Sequence, residues 1–169
     1  MRDEYDRQRR TWRDVVTRRI CPKPVRNMLG EVVAACALLA ANLQFDGTLI
    51  LQNFEVAPVN MLVVQCSSGL AMRATAKFSG DAAQIIGDGT SFANLINASG
   101  HGRCVITLDP ADKRPGQQPY QGIVPLNGED GPLASIADVL EHYMRHSEQL
   151  DTRLWLAADQ DRAVGVLLQ

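Results

Sequence analysis

Two of the three histidines have the spacing of a metal site. His142 and His146 stand four residues apart in a predicted helix, the spacing at which two imidazoles can bind one metal ion. The glutamate of a metalloprotease helix is missing, because Tyr143 follows His142. No third ligand can be located by sequence, and His101 lies between two glycines in a predicted loop. We therefore predict surface histidines, with no metal site and no catalytic histidine.

The four cysteines are the other candidates for metal or redox chemistry. They stand singly in the sequence, at Cys21, Cys36, Cys66 and Cys104. Zinc sites and redox motifs bring two thiolates within a few residues, so no local metal knuckle is present. Cys36 lies in an Ala-rich predicted helix and Cys104 in a predicted strand, where both are expected to be buried, reduced thiols. Only Cys21 is a candidate for exposure, and we predict no cofactor in this chain.

Three further patterns are better explained by turns than by catalysis. The paired carboxylates Glu129 and Asp130 stand in a Gly-rich turn. The sequence Gly87-Asp88-Gly89 lacks the third glycine of a dinucleotide fingerprint and the Gly-Lys-Ser/Thr of a P-loop. A Gly-x-Ser-x-Gly nucleophile elbow is absent, and Ser147 carries no such motif. The residues therefore predict no enzyme and no catalytic residue.

Composition favours one soluble, cytoplasmic globular domain. The chain has 169 residues, of which 46% are hydrophobic, enough for a sizeable core. Its 17 basic and 19 acidic side chains give a net charge of −2, which provides no general attraction to nucleic acid or anionic lipid. Aromatic residues make up only 5%, so platforms for base stacking are few. No secretory signal pattern is visible, and we predict neither nucleic acid nor membrane as a partner.

Two helices are predicted in the first part of the chain. Residues 1–20 combine seven arginines with four acidic residues, which indicates a solvated surface helix rather than a nucleic-acid-binding arm. Pro24 is placed to start a second helix that continues to Leu43 and is apolar nearly all round. Its apolar run, Val32 to Ala41, is about half of the ~20 residues that span a bilayer. We predict a core helix that is covered on more than one side.

The rest of the chain predicts an α+β fold, with helices packed on a largely antiparallel sheet in a single domain. Short polar breaks separate the strands and imply antiparallel neighbours, so the sheet should open as a meander. A short helix capped by Ser91 and a helix with an apolar stripe from Leu133 to Tyr143 should interrupt the strands. The predicted strands are residues 48–53, 60–66, 70–78, 103–108 and 120–126, followed by a hairpin of 153–158 and 163–168.

Several stretches, in order and spacing, resemble the 33 kDa chaperonin family. The resemblance covers residues 25–169 and is more specific than any single residue discussed above. The matching stretches are residues 25–31 (VRNMLGE), 45–52 (FDGTLILQ), 58–66 (PVNMLVVQC), 70–76 (LAMRATA), 105–109 (VITLD) with 120–126 (YQGIVPL), and 147–157 (SEQLDTRLWLA).

The resemblance implies an ATP-independent holdase that binds unfolding proteins under heat and oxidative stress. It further implies a homodimer, and a carboxy-terminal domain in which Cys-x-Cys and Cys-x-x-Cys motifs bind zinc and act as a redox switch. Those motifs are absent from these 169 residues, so zinc is expected only in a domain that this chain lacks. The chain ends on Gln169 directly after an apolar strand, and we expect the natural protein to continue.

Two points stay open at this stage. The sequence Phe54-Glu55-Val56-Ala57 replaces the Gly-rich turn that is common in the family, which leaves the shape of that hairpin open. The client-binding residues are unknown, because the resemblance does not locate the surface. The alternatives to a holdase are a small metal- or histidine-dependent enzyme and a plain dimerisation module.

Overall fold

The central element is a long helix that is buried on nearly every side. A computed structural model describes residues 12–17, 21–43, 46–55, 58–78 and 80–169. Helix α1, Lys23–Asn42, has Pro24 in its first turn, where the fixed φ of proline suits the helix. The predicted core helix is thus confirmed. Its buried residues are Val25, Met28, Leu29, Gly30, Val32, Val33, Ala34, Ala35, Cys36 and Leu39.

A five-stranded antiparallel sheet covers one side of α1, in agreement with the predicted α+β fold. The strands β1 to β3 form the predicted meander, but β4 returns to pair with β1 rather than with β3. Leu49 of β1 consequently lies between Cys66 of β2 and Leu108 of β4. The order is β3-β2-β1-β4-β5, with β1 Gly47–Phe54, β2 Val59–Ser67, β3 Met72–Phe78, β4 Arg103–Pro110 and β5 Tyr120–Pro125.

Short helices carry the chain from β3 to β4. These are α2, Ala82–Ile85, and α3, Phe92–Ile96. As predicted, Ser91 caps α3, and its hydroxyl accepts a hydrogen bond from the Asn94 amide at 3.2 Å. The buried side chains of Leu95 and Ile96 close one end of the core.

The region after β5 differs in detail from the prediction. A two-residue ladder, β6 Asn127–Gly128 with β7 Gly131–Pro132, precedes helix α4, Ile136–Tyr143. Leu133 was predicted in the apolar stripe of this helix, but it lies before the helix begins. The physical reason is the cap: the Ser135 hydroxyl accepts a hydrogen bond from the Asp138 amide at 3.1 Å, so the helix begins at Ile136, three residues after Leu133.

The second side of α1 is covered by a hairpin with the predicted bounds, β8 Arg153–Ala158 and β9 Ala163–Leu168. Two glycines allow the hairpin to approach the helix closely. A Cβ at Gly30 would overlap the side chain of Ala158, and one at Gly165 would lie 2.8 Å from Leu38 of α1. By length and hydropathy α1 could cross a bilayer, yet over half of its apolar window is buried here, as expected for a core helix.

Residues 12–17 are helical, and the rest of the predicted amino-terminal helix lies outside the described residues, as do Val56 and Ala57. Trp12 is only 2% exposed and packs beside Gly30. Its indole nitrogen donates a hydrogen bond to the carbonyl oxygen of Asp159 at 3.1 Å. The segment therefore ties the turn of the hairpin to the core.

Replacing Gly30 by alanine should destabilise the fold. Alanine stabilises a helix by up to ~1 kcal/mol relative to glycine. The new methyl group would, however, overlap Ala158 and the Trp12 ring. Overpacking typically costs about 1–3 kcal/mol, so we expect Gly30→Ala to unfold at lower urea concentration than the parent chain. Gly87→Ala is the control, because a Cβ at Gly87 meets nothing within 4 Å. Equal midpoints for both variants would show that the hairpin does not rest on α1 at this point.

A pH dependence is expected from Glu31 of α1, a half-buried side chain whose pKa is raised by burial. Because the folded-state pKa exceeds the unfolded one, the ionised carboxylate disfavours folding at neutral pH. Glu31→Gln should therefore raise the thermal midpoint at pH ~7. This gain should vanish as the pH falls below the ordinary carboxyl pKa of about 4.3. The control is Asp88→Asn in an exposed turn, which should leave the thermal midpoint unchanged. A lower thermal midpoint of Glu31→Gln at neutral pH would contradict the predicted stabilisation.

Candidate functional site on the β8–β9 hairpin

The histidine pair does not have the geometry of a metal site. The rings of His142 and His146 are stacked, with centroids 4.1 Å apart, so their in-plane lone pairs do not converge. Nδ1 of His146 lies 2.8 Å from the carbonyl oxygen of His142 and donates to it. Burial, and then the neighbouring His146, lower the pKa of His142. In the described part of the chain, no group of three His, Cys, Asp or Glu residues could hold a metal ion.

The other motifs singled out in the sequence lie in turns or in the core. Glu129 and Asp130 are exposed between β6 and β7, and His101 is exposed in the loop before β4. Residues 87–89 form a turn that is closed by the hydrogen bond from the Thr90 amide to the Gly87 carbonyl at 3.0 Å. Cys21 is half-buried, and the thiols of Cys36, Cys66 and Cys104 are buried. None of these side chains therefore forms a recognisable catalytic set.

A small cleft lies at the end of α1, between Leu43, Leu108 and Leu150. At its rim the Tyr143 hydroxyl donates a hydrogen bond to the Glu148 carboxylate. Burial, followed by this hydrogen bond, raises the pKa of Tyr143. The cleft encloses about 170 Å³, which is below the ~300–1,000 Å³ usual for small-molecule sites. It has the size and composition of a packing defect rather than of a substrate pocket.

The hairpin is held firmly on its inner side. Leu154 is 5% exposed, and its backbone amide donates a hydrogen bond to the Glu141 carboxylate of α4 at 2.8 Å. The second oxygen of Glu141 accepts a hydrogen bond from the Arg153 guanidinium at 2.7 Å. Leu156 and Leu167 pack against the core beside Leu154. The hairpin is therefore positioned by α1 and α4 and is not a free appendage.

The outer side of the hairpin carries large apolar side chains that face solvent. We call the exposed side chains of Trp155, Ala157, Val164, Val166 and Leu168 the hairpin face. Trp155 pairs with Val166 across the strands, and Ala157 pairs with Val164. Trp155, Val164, Val166 and Leu168 are 55%, 45%, 60% and 61% exposed. Four such residues side by side form a contiguous apolar patch, and patches of this kind mark interaction sites.

The same hairpin offers an open backbone edge. The Leu154 amide points toward Glu141 and hence away from β9. Because hydrogen-bonding direction alternates in an antiparallel pair, its partner Leu167, like Gly165 and Ala163, directs its backbone groups away from β8. Among the described residues, β9 pairs with β8 alone. An unpaired apolar edge can accept another extended chain.

The outer face of the five-stranded sheet is a weaker candidate. Val63, Val105 and Ile123 lie in one row across the strands, but the polar Gln52 interrupts the row. Ile123 is 60% exposed, while Val63 and Val105 are half-buried. The hairpin face thus has the larger exposed apolar surface.

Sequence reasoning nominated no residues for client binding and so missed the hairpin face. The sequence does contain a relevant pattern, because both faces of β9 are apolar. One face carries Val164, Val166 and Leu168, and the other carries Ala163, Gly165 and Leu167. A strand that is apolar on both faces indicates cover on both sides. Sequence alone could not show which side the core leaves open.

Comparisons with known proteins agree on one family. A family model described as Hsp33 protein matches residues 3–169. The chain is 50% identical over 149 residues to a protein from Methylobacillus flagellatus named 33 kDa chaperonin, covering 88% of this chain and 45% of that protein. A protein of the same name from Ectopseudomonas mendocina is 42% identical over 169 residues, covering 100% of this chain and 52% of that protein. The chain thus spans about half the length of these relatives.

The fold also matches a solved structure. The crystal structure of a 33 kDa chaperonin from Thermotoga maritima aligns with a TM-score of 0.61 over 95% of this chain and 51% of that chain. At 19% identity, this match supports the fold alone. Together with the family model and the sequence relatives, it confirms the resemblance seen in the motifs. The chain belongs to the Hsp33 family of 33 kDa chaperonins.

Proposed function

We propose that this chain is the client-binding body of an ATP-independent holdase chaperone. It captures unfolding proteins on the hairpin face before they aggregate under heat or oxidative stress. The observation that carries the proposal is the apolar patch of Trp155, Val164, Val166 and Leu168 on a firmly anchored hairpin. Holding a client requires apolar area rather than positioned catalytic groups. The chaperonin names of the sequence relatives support the same class of function.

The size of the patch suits transient capture. At their exposed fractions, the four side chains present roughly 400 Å² of apolar surface. At about 25 cal/mol per Å², burying this area contributes about 10 kcal/mol, against an association cost of about 4–15 kcal/mol. The net affinity of one patch is then weak. Firm holding requires several contacts on one client, such as two hairpin faces in a homodimer.

The open edge of β9 adds a route for binding extended segments. A client segment that pairs with β9 would satisfy backbone groups while its side chains reach the hairpin face. Because every unfolding protein has a backbone, this contact does not depend on client sequence. The edge therefore favours broad recognition of non-native chains.

The family's zinc switch finds no matching residues in this chain. Cys36, Cys66 and Cys104 are buried in different elements, and the described residues contain no ligand group for a metal. We propose that zinc binding and redox gating do not involve the residues of this chain, and we expect the reduced chain to hold clients without an oxidant. We further propose a cytoplasmic homodimer that binds neither nucleic acid nor membrane.

The direct test is suppression of thermal aggregation of a model client by the reduced chain without ATP. We expect the parent chain to protect, and the double variant Trp155→Thr/Val166→Thr to lose most of its protection. Both residues are exposed on a strand, and threonine keeps strand propensity, so folding should be retained. Circular dichroism and solution mass are measured on each variant.

The matched control is Ile85→Thr, which removes a hydrophobic side chain that is 72% exposed on α2. Protection that depends only on total apolar exposure would fall in this variant as well. Unchanged protection by the double variant would rule out the hairpin face as the client site. If the double variant becomes monomeric yet still protects, the hairpin face is a dimer interface and clients bind elsewhere.

A further inference from the structure

Two cysteines far apart in sequence meet in the core. Cys36 lies on α1 and Cys66 near the end of β2, and both are 0% exposed. The Cys36 sulfur is 3.8 Å from the carbonyl oxygen of Leu49. Leu49 is the direct partner of Cys66 in the pairing of β1 with β2. The helix therefore places one thiol over the strand position that carries the other.

A second contact places Cys36 against the strand that carries Cys66. The Cys36 sulfur also lies 4.0 Å from the carbonyl oxygen of Val64, two residues before Cys66 on the same strand. Val64 and Cys66 are buried on the same side of β2, so the Cys36 and Cys66 thiols lie close together in the core. We propose that Cys36 and Cys66 form an intramolecular disulfide when the chain meets a peroxide-type oxidant. This site is separate from the family's zinc switch and does not rest on the proposed client binding.

The contact assigns different roles to the two sulfurs. The neighbouring Cys36 thiol lowers the pKa of the Cys66 thiol. The neighbouring Cys66 thiol, followed by burial, raises the pKa of Cys36. Cys66 is thus the more readily ionised thiol and the nucleophile, since the thiolate is the reactive form. Cys36 resolves the oxidised intermediate.

The chemistry balances with hydrogen peroxide as the oxidant. The Cys66 thiolate attacks one peroxide oxygen, the O–O bond breaks, and hydroxide leaves as water after taking up a proton. Cys66 is then a sulfenic acid. The Cys36 sulfur attacks the Cys66 sulfur and loses its proton, and the hydroxyl group of the sulfenic acid leaves as a second water. The two thiols lose two hydrogens, and the peroxide is reduced to two waters.

A small oxidant can reach the buried Cys66 sulfur through a local opening of the structure. Cys66 is followed by the exposed turn at Ser68 and Gly69, and its sulfur lies 3.6 Å from the carbonyl oxygen of Ser67. Fraying of this turn would admit a small oxidant, whereas large reagents stay excluded. The disulfide would then link α1 to β2 across the 29 residues between Cys36 and Cys66. It would strengthen the core at the interface on which the fold depends.

Cys104 serves as the internal control. It also faces the core, and burial raises its pKa to about 12. Cys104 pairs with Asn53, however, four residues along β1 from Leu49. A strand rises about 3.3 Å per residue, so Cys104 and Cys66 lie roughly 13 Å apart along the strand direction. This separation is too large for a disulfide.

The experiment treats the folded, reduced chain with hydrogen peroxide, alkylates the remaining thiols and maps the unreduced peptides by mass spectrometry. We expect one linked pair, Cys36–Cys66, lighter by two hydrogens than the free peptides. Cys104 should be recovered alkylated after unfolding. The thermal midpoint should rise by roughly 5–10 °C on oxidation and return with dithiothreitol.

The rise of the thermal midpoint on oxidation should persist in Cys104→Ala and disappear in Cys36→Ala and Cys66→Ala. If a variant fails to fold, the peptide map of the unsubstituted chain still shows whether Cys36 and Cys66 are linked. The proposal is overturned if Cys36 and Cys66 are recovered as thiols or as sulfinic acids after oxidation. Links that instead join Cys21 of two copies, with no Cys36–Cys66 link, would overturn it as well.

Discussion

The fold depends on covering a helix that is apolar on nearly all sides. Helix α1 has buried residues at consecutive positions from Val32 to Cys36, so a single sheet cannot shield it. The five-stranded sheet takes one side, while the β8–β9 hairpin and Trp12 take the other. Gly30 and Gly165 set how closely the hairpin lies. The position of the hairpin is thus a consequence of the composition of α1.

This arrangement creates the candidate site. A two-stranded hairpin has two faces, and the core needs only one of them. The inner face is small and apolar, and Glu141 holds Leu154 and Arg153 in place. The outer face is left with Trp155 and Val166 in solvent. Exposed apolar patches of this kind mark interaction sites, and this patch is the surface on which the proposed client binding rests.

Much of the fold was predictable because it is local. Two runs separated by the polar segment 159–162 predicted the bounds of β8 and β9, and the position of Pro24 predicted the start of α1. The pairing of β4 with β1 was not predictable, because it depends on the path through α2 and α3 and not on periodicity. Leu133 was misplaced because a cap, here Ser135, outweighs the continuation of an apolar stripe.

The site was harder to predict for a physical reason. The sequence of β9 shows that both of its faces are apolar, but it does not show which face the core covers. The meeting of Cys36 with Cys66 is likewise invisible in sequence, because it is set by the depth at which α1 lies on β1 and β2. Such contacts are properties of tertiary packing.

The separation of a shielded core from an exposed face is consistent with the broad recognition that we propose. A net charge of −2 provides little long-range steering, and Arg153, the charged side chain flanking Leu168, already bonds Glu141. Attraction to the hairpin face is therefore short-ranged and apolar. Folded proteins hide their apolar segments and unfolding proteins expose them. The proposed client binding on this face therefore depends on the folding state of the partner rather than on its sequence.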